Sequence, residues 1–207
     1  MKPGFTITYE YGDSLYVNVT NRCNYRCSFC LRHNEASQGS IYSDNLWLER
    51  EPAKEEILAD IEKRDLSKYR QLVFCGFGEP AYRLEDIFWV IDQMKAHGTK
   101  IFTRINTNGT ACAIYGRDVC PEFEGRFDEV SVSLNTDTAE KYEALCNPRI
   151  PNAYQVMKDF TREIRKYVPN VTMTVVDTIP AEEIENCRKI CEEEIGATYR
   201  VRAYIKD

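Results

Sequence analysis

The sequence predicts an α/β fold, a partial (βα)6 TIM-like barrel in which an open parallel sheet carries its helices outside. Three observations lead there. Six short apolar, β-rich runs alternate with helical patterns, and such alternation builds a parallel sheet flanked by helices. Six units fall short of the eight that close a barrel, and 207 residues fall short of the roughly 250 that a closed barrel usually takes. Ligands in such folds sit at the C-terminal ends of the strands, and the polar and glycine-rich segments of this chain lie there.

The strands are expected over residues 15–20, 71–75, 101–106, 129–134, 171–176 and 199–205. Helices should begin near Pro52, Glu85, Thr138, Asn152 and Ala181, with a short one over Ala111–Tyr115. Pro52 suits the first turn of its helix, where a missing N–H costs nothing. Ile87, Val90, Ile91 and Met94 recur at i, i+3, i+4 and i+7 and give the next helix one buried face. Gly98 sits where a C-terminal glycine cap belongs. Asp137 and Glu140 read as a capping box for the helix after the fourth strand. Residues 1–207 read as one domain, and the one long irregular piece is 31–51.

Composition narrows the class. Hydrophobic residues at 43% and charged residues at 29% fit a globular protein. No apolar run approaches the roughly 20 residues of a membrane span, and the first residues lack a signal-peptide core. Nine cysteines without such a signal point to a reducing cytoplasm, where they bind metal or catalyse more often than they bridge. A net charge of −6 argues against a nucleic-acid partner, which calls for a clustered basic face. Lys158, Arg162, Arg165 and Lys166 share one predicted helix and read as its solvated face.

The first strand runs into Cys23-x3-Cys27-x2-Cys30, with Phe29 before the last cysteine. Thiolates are the usual ligands of iron–sulfur clusters, and three of them on a four-iron cluster leave one iron open. Zinc competes, with His33 as the near fourth ligand. A disulfide would leave one of the three cysteines unpaired.

This spacing resembles the cluster loop of the radical S-adenosylmethionine (SAM) enzymes. The resemblance implies that Cys23, Cys27 and Cys30 hold a 4Fe-4S cluster, that the open iron chelates SAM, and that Phe29 packs near the adenine. Further segments extend it. The second strand ends in Cys75-Gly76-Phe77-Gly78-Glu79-Pro80, similar to the family's Gly-Gly-Glu-Pro motif with Phe77 replacing the middle glycine. Glycines there admit a close backbone approach, and Glu79 can accept from an ammonium group. The third strand ends in Asn106-Thr107-Asn108-Gly109, like the family's Thr-Asn-Gly segment. Asn106 and Asn108 offer the donor and acceptor that sugar hydroxyls need. On the fourth, Ser131, Ser133 and Asn135 share one face, and the family implies cofactor contacts for Ser133 and Asn135. Asp177, ending the fifth strand, either faces substrate or caps a helix.

Residues 15–23, 46–52, 73–80 and 104–109 are most similar to the small TatD-associated radical SAM proteins. That implies a functional link to a TatD-type hydrolase and an external electron donor of flavodoxin or ferredoxin type. It also implies SAM cleavage to methionine and a 5′-deoxyadenosyl radical that abstracts hydrogen from a small or nucleotide-derived substrate. Two alternatives stand beside it: an activase that makes a glycyl radical on a partner protein, and an iron–sulfur redox or sensor protein without SAM chemistry. Arg32, His33, Tyr42, Asp44 and Trp47 make the 31–51 loop a candidate substrate site. Cys187 and Cys191 share an apolar stripe with Ile184 and Ile195 and read as core. Cys75 lies in an apolar strand, and Cys112, Cys120 and Cys146 have no evident partners.

Overall fold

The computed structural model describes residues 4–33 and 46–204. Tyr42 and Asp44 of the candidate substrate loop lie outside them. Seven strands form one sheet in chain order: β1 (Thr8–Tyr11), β2 (Ser14–Val17), β3 (Gln71–Phe74), β4 (Phe102–Thr107), β5 (Glu129–Ser133), β6 (Asn170–Val176) and β7 (Thr198–Arg202). Neighbours from β2 to β7 are parallel, so the six expected strands form the expected open parallel sheet. The last of them is shorter than 199–205, and Ile205 lies outside the described residues.

β1 is an addition. It pairs antiparallel with β2, Tyr9 opposite Tyr16, through a tight turn in which Gly12 has φ 60°. The alternation of Ile7, Tyr9 and Tyr11 with Thr8 and Glu10 ahead of Gly-Asp is a hairpin signal, too short to stand out beside the longer βα pattern.

The helices are α1 (Lys54–Glu62), α2 (Leu84–Ala96), α3 (Ala111–Tyr115), α4 (Ala139–Cys146), α5 (Ala153–Ile164) and α6 (Ala181–Lys189), the last continued by a π turn over Ile190–Ile195. α2 buries Ile87, Val90, Ile91 and Met94 as its periodicity requires, and Gly98 ends it at φ 81°. The helix starts near Pro52 and Thr138 hold, but two details of them change. α1 opens after Ala53, whose N–H is taken by the Glu56 carboxylate at 2.8 Å, so Pro52 precedes its first turn. α4 is capped by Thr138, which accepts from the Lys141 N–H, because Asp137 is drawn off to the Lys141 ammonium and the Asn186 amide, both at 2.9 Å.

The sheet has two unlike faces. Leu15, Val17, Leu72, Phe74, Ile105, Val130, Val132, Met173 and Val175 are buried with the apolar stripes of the helices. Each fully buried aliphatic side chain there contributes roughly 1.5–3 kcal/mol. Cys187 and Cys191 belong to this core. Register sets the opposite face: Tyr16, Val73, Arg104 and Glu129 form one row, and Asn106, Ser131 and Thr172 the next. A parallel strand buried on both faces is normally a continuous apolar run, so a polar inner face marks a site. The basic helix face is accounted for: Lys158 and Arg162 reach Glu194, and Lys166 pairs with Glu163 at 2.6 Å.

Candidate active site

A cavity opens at the C-terminal ends of the strands and contains about 1170 Å³ of space between atoms, its open mouth included. Cys23, Cys27 and Cys30 line it together with Phe29, Gly76, Phe77, Gly78, Glu79, Asn106, Asn108, Ser133 and Asn135. Segments from four strand ends thus meet where the sequence placed a cofactor.

The cysteine loop is held from two sides. The Arg26 and Ser28 N–H groups donate to the Cys146 and Leu145 carbonyls at 3.0 and 2.9 Å, using acceptors that the C-terminus of α4 leaves open. On the other side the Asn24 amide accepts from Asn108 Nδ2 at 2.8 Å and donates to Thr110 Oγ1 at 3.0 Å. Tyr25 packs edge-on against the fully buried Tyr142.

All three thiols are raised above the ordinary cysteine range in the free protein. Burial, with the Glu79 carboxylate nearby, pushes Cys23 up to about 12. Cys27 is raised by its hydrogen bond to Cys146 and by burial, and Cys30 chiefly by burial. Among the described residues, Cys112, Asp118 and Cys120 alone bring three ligand atoms within 4.8 Å of one another. The loop sulfurs do not all draw that close. Two thiolates on one zinc, at about 2.3 Å each, sit only about 3.8 Å apart. The loop therefore suits a larger group in which each thiolate takes its own metal atom, and a four-iron cluster is such a group.

The glycines that line the cavity also pack closely against protein. A methyl group on Gly78 would stand 2.3 Å from the Thr20 carbonyl oxygen and 2.7 Å from that of Arg22; one on Gly76 would strike the Asn18 amide at 2.0 Å. Both let β3 leave the sheet against the exit of β2, and the Glu79 N–H seals the contact on the Arg22 carbonyl at 2.7 Å. Phe77 between them is tolerated because it turns into a small apolar cluster with Tyr9 and Leu46, edge-on to Trp47.

Glu79 is buried, 4% exposed. It accepts from Thr107 Oγ1 and the Asn108 N–H, both at 2.7 Å, and from the Ala81 N–H at 3.1 Å. Burial outweighs these bonds and lifts it to about 7. Asn106 Oδ1 is buried without a hydrogen-bond partner beside the cavity, an acceptor awaiting a donor. Asn108 differs: Asn24 takes its amide donor, while the Thr110 hydroxyl and N–H occupy its oxygen. It positions the cysteine loop, and of its amide only one Nδ2 hydrogen is left to face the cavity. Ser133 and Asn135 both line the wall, and Asn135, at φ 66°, donates its amide to Cys146 Sγ at 3.2 Å.

The substrate candidates separate. Arg32 lines the cavity, donates to the Phe77 carbonyl at 3.2 Å and stacks on Trp47. His33 closes the 3-10 turn Leu31–His33. Asp177 is no part of the wall: its carboxylate accepts the Tyr204 N–H at 2.6 Å and ties the end of β7 to β6. At its other end the 31–51 segment is a clamp. Asn21 bonds both backbone groups of Leu48, at 2.7 and 3.1 Å, and Glu51 takes the Arg22 guanidinium at 2.7 Å.

Several wall residues escaped the sequence reading: Tyr9, Cys75, Val176 and Arg202 to Tyr204. One signal was available. Arg200 and Arg202 alternate along a strand expected to be buried. Arg200 lies beside Arg104 and Arg202, and burial and then those like charges lower its pKa. Glu129 is the nearby acid, 3.9 Å from Arg104.

An open sheet with such a cavity at its strand ends defines the chain's class. The Radical SAM superfamily model matches residues 17–191, and the chain belongs to that superfamily of enzymes, which implies a 4Fe-4S cluster and SAM. It is 32% identical over 141 residues to GTP 3',8-cyclase of Corynebacterium glutamicum, a match covering 63% of this chain and 33% of that one. The chain thus matches about a third of that relative's length. By fold it resembles Streptococcus suis SuiB bound to its precursor peptide SuiA, with a TM-score of 0.66, 16% identity, and coverage of 94% of this chain and 40% of the other. It also resembles a radical SAM methyltransferase from Sphaerobacter thermophilus, with a TM-score of 0.59, 18% identity, and coverage of 95% and 57%. Among the described residues no helix is long and apolar enough to cross a membrane.

Proposed function

We propose that this radical SAM enzyme, of the TatD-associated group, holds its cluster on Cys23, Cys27 and Cys30 and acts on a small anionic substrate, nucleotide-derived. The carrying observation is the cavity itself, whose wall brings together three thiols, a buried carboxylate, the residue with an unpartnered amide oxygen and the guanidinium groups of Arg32 and Arg202. When bound, the cluster and SAM supply one-electron cleavage of the sulfonium and a carbon radical able to take a hydrogen atom from a C–H bond. The electron comes from an external flavodoxin- or ferredoxin-type protein.

The chain's residues bind and orient. An ionised carboxylate has about four acceptor positions; protein donors fill three on Glu79, leaving one for the SAM ammonium. Asn106 Oδ1 accepts a ribose hydroxyl, and the half-buried Phe29 offers the adenine an apolar wall. Arg202, with Arg200 and Arg104 behind it, faces the substrate anion, since guanidinium groups are suited to phosphate and carboxylate. GTP, the nucleotide in the name of the Corynebacterium relative, is a substrate of that kind.

The test is anaerobic. Reconstituted protein with reductant and SAM should release 5′-deoxyadenosine, and deuterium from a labelled metabolite pool should enter it once the substrate is present. Arg202→Ala should lower this exchange while sparing uncoupled SAM cleavage. A fully loaded cluster that never cleaves SAM would favour the sensor reading instead.

A further inference from the structure

Away from the cavity, α3 and the turn after it bring together residues that lie apart in sequence. Cys112 is the second residue of α3, and Cys120 opens the 3-10 turn Cys120–Phe123. Between them Gly116, at φ 64°, reverses the chain. The two sulfurs stand 3.7 Å apart, and Asp118 Oδ1 stands 3.7 Å from Cys112 Sγ. We propose that Cys112, Asp118 and Cys120 form a second metal site, for a single borderline-soft divalent cation such as zinc.

The spacing is what one ion requires. Zinc takes thiolate at about 2.3 Å and carboxylate at about 2.0 Å in a tetrahedron, which sets sulfur–sulfur at about 3.8 Å and sulfur–oxygen at about 3.5 Å. The Cys112–Cys120 and Cys112–Asp118 separations differ from that by a few tenths of an ångström, and Cys120 and Asp118 lie within 4.8 Å of each other. A disulfide would instead require the sulfurs to close to about 2.05 Å and would give Asp118 no part. The carboxylate is already oriented, because Oδ1 accepts the Cys120 N–H at 2.9 Å; fixing a ligand through a neighbouring hydrogen bond is usual around bound metals. Burial is graded from Cys120 through Cys112 to the exposed Asp118, which leaves an entry path and room for water as fourth ligand.

The placement suggests what the ion does. α3 follows directly on Asn108 and Thr110, the residues that grip Asn24 of the cysteine loop. A metal clip between α3 and the turn at Cys120 would brace that grip from behind.

The test uses cluster-loaded protein, equilibrated anaerobically with zinc and desalted. Elemental analysis should find near one zinc per chain beside the cluster iron, and zinc X-ray absorption should show two sulfur and two lighter ligands. Cys112→Ser and Asp118→Asn, at half-buried and exposed positions, should each lower zinc retention at least tenfold with iron content unchanged. Cys120→Ser should do the same, and the other two decide the matter if it fails to fold. Zinc retention unaffected by these changes, no zinc retained at all, or a Cys112–Cys120 disulfide in the intact protein would overturn the proposal.

Discussion

Glu79 and Asn106 sit on the same wall and call for opposite behaviour. Glu79 is committed to three protein donors, so Glu79→Gln turns an amide N–H toward one of them. A buried group left unsatisfied costs roughly 1–3 kcal/mol. Urea unfolding should record that loss, together with weaker SAM binding. Asn106 Oδ1 has nothing to lose in the free protein. Asn106→Ala gives up only the amide's hydrogen bond with the Cys75 thiol, so it should cost less on unfolding than Glu79→Gln and weaken SAM about tenfold, which is the loss of one net hydrogen bond. If Asn106→Ala destabilises the free protein as much as Glu79→Gln, its oxygen is serving the fold. The sequence brought both residues to the cavity because Asn106 lies at the end of β4 and Glu79 in the exit from β3. It was silent on how they differ, since that depends on donors from other segments, and for the same reason it could not show that Asn108 also holds Asn24.

At the scale of elements, what was legible followed from local spacing. The cysteine loop, the β3 exit and the α2 stripe are each set within about a dozen residues. What escaped depends on chain reversal or distant pairing: the β1 hairpin, the Cys112–Cys120 approach, and Arg202 at the end of β7. The interlock of strand exits is also non-local, and it makes a sharp prediction. Gly78→Ala would press a methyl against two backbone carbonyls, which cannot swing aside as a side chain can. Overpacking of that kind typically costs 1–3 kcal/mol or more, and the thermal midpoint should fall accordingly. Asn24→Ala probes the grip on the loop. It breaks two buried hydrogen bonds, and the reconstituted protein should yield its iron to a chelator severalfold faster than wild type. An unchanged release rate would assign the loop's rigidity to the α4 carbonyls alone.

Across the whole molecule, the cavity concentrates groups that resist ionisation in a chain whose net charge is already −6. Glu79 titrates in the folded apoprotein at about 7, against an ordinary 4.5, because burial disfavours its charge. Between those values the folded chain keeps a proton that the unfolded chain has released, so unfolding stability declines as pH rises through the window. The share from Glu79 is fully present below about 4.5 and gone above about 7, and it amounts to about 3 kcal/mol at most. Wild-type apoprotein should therefore lose stability relative to Glu79→Gln on going from pH 5 to pH 7.5, as read from paired urea melts. SAM reverses the sense, because an ammonium group beside Glu79 favours the carboxylate. Its affinity should rise through the same window, with release of up to one proton per chain near neutrality, measurable by calorimetry in buffers of different ionisation heat. A SAM affinity that stays flat from pH 5 to 8, with the cluster intact throughout, would show that the ammonium binds elsewhere on the wall.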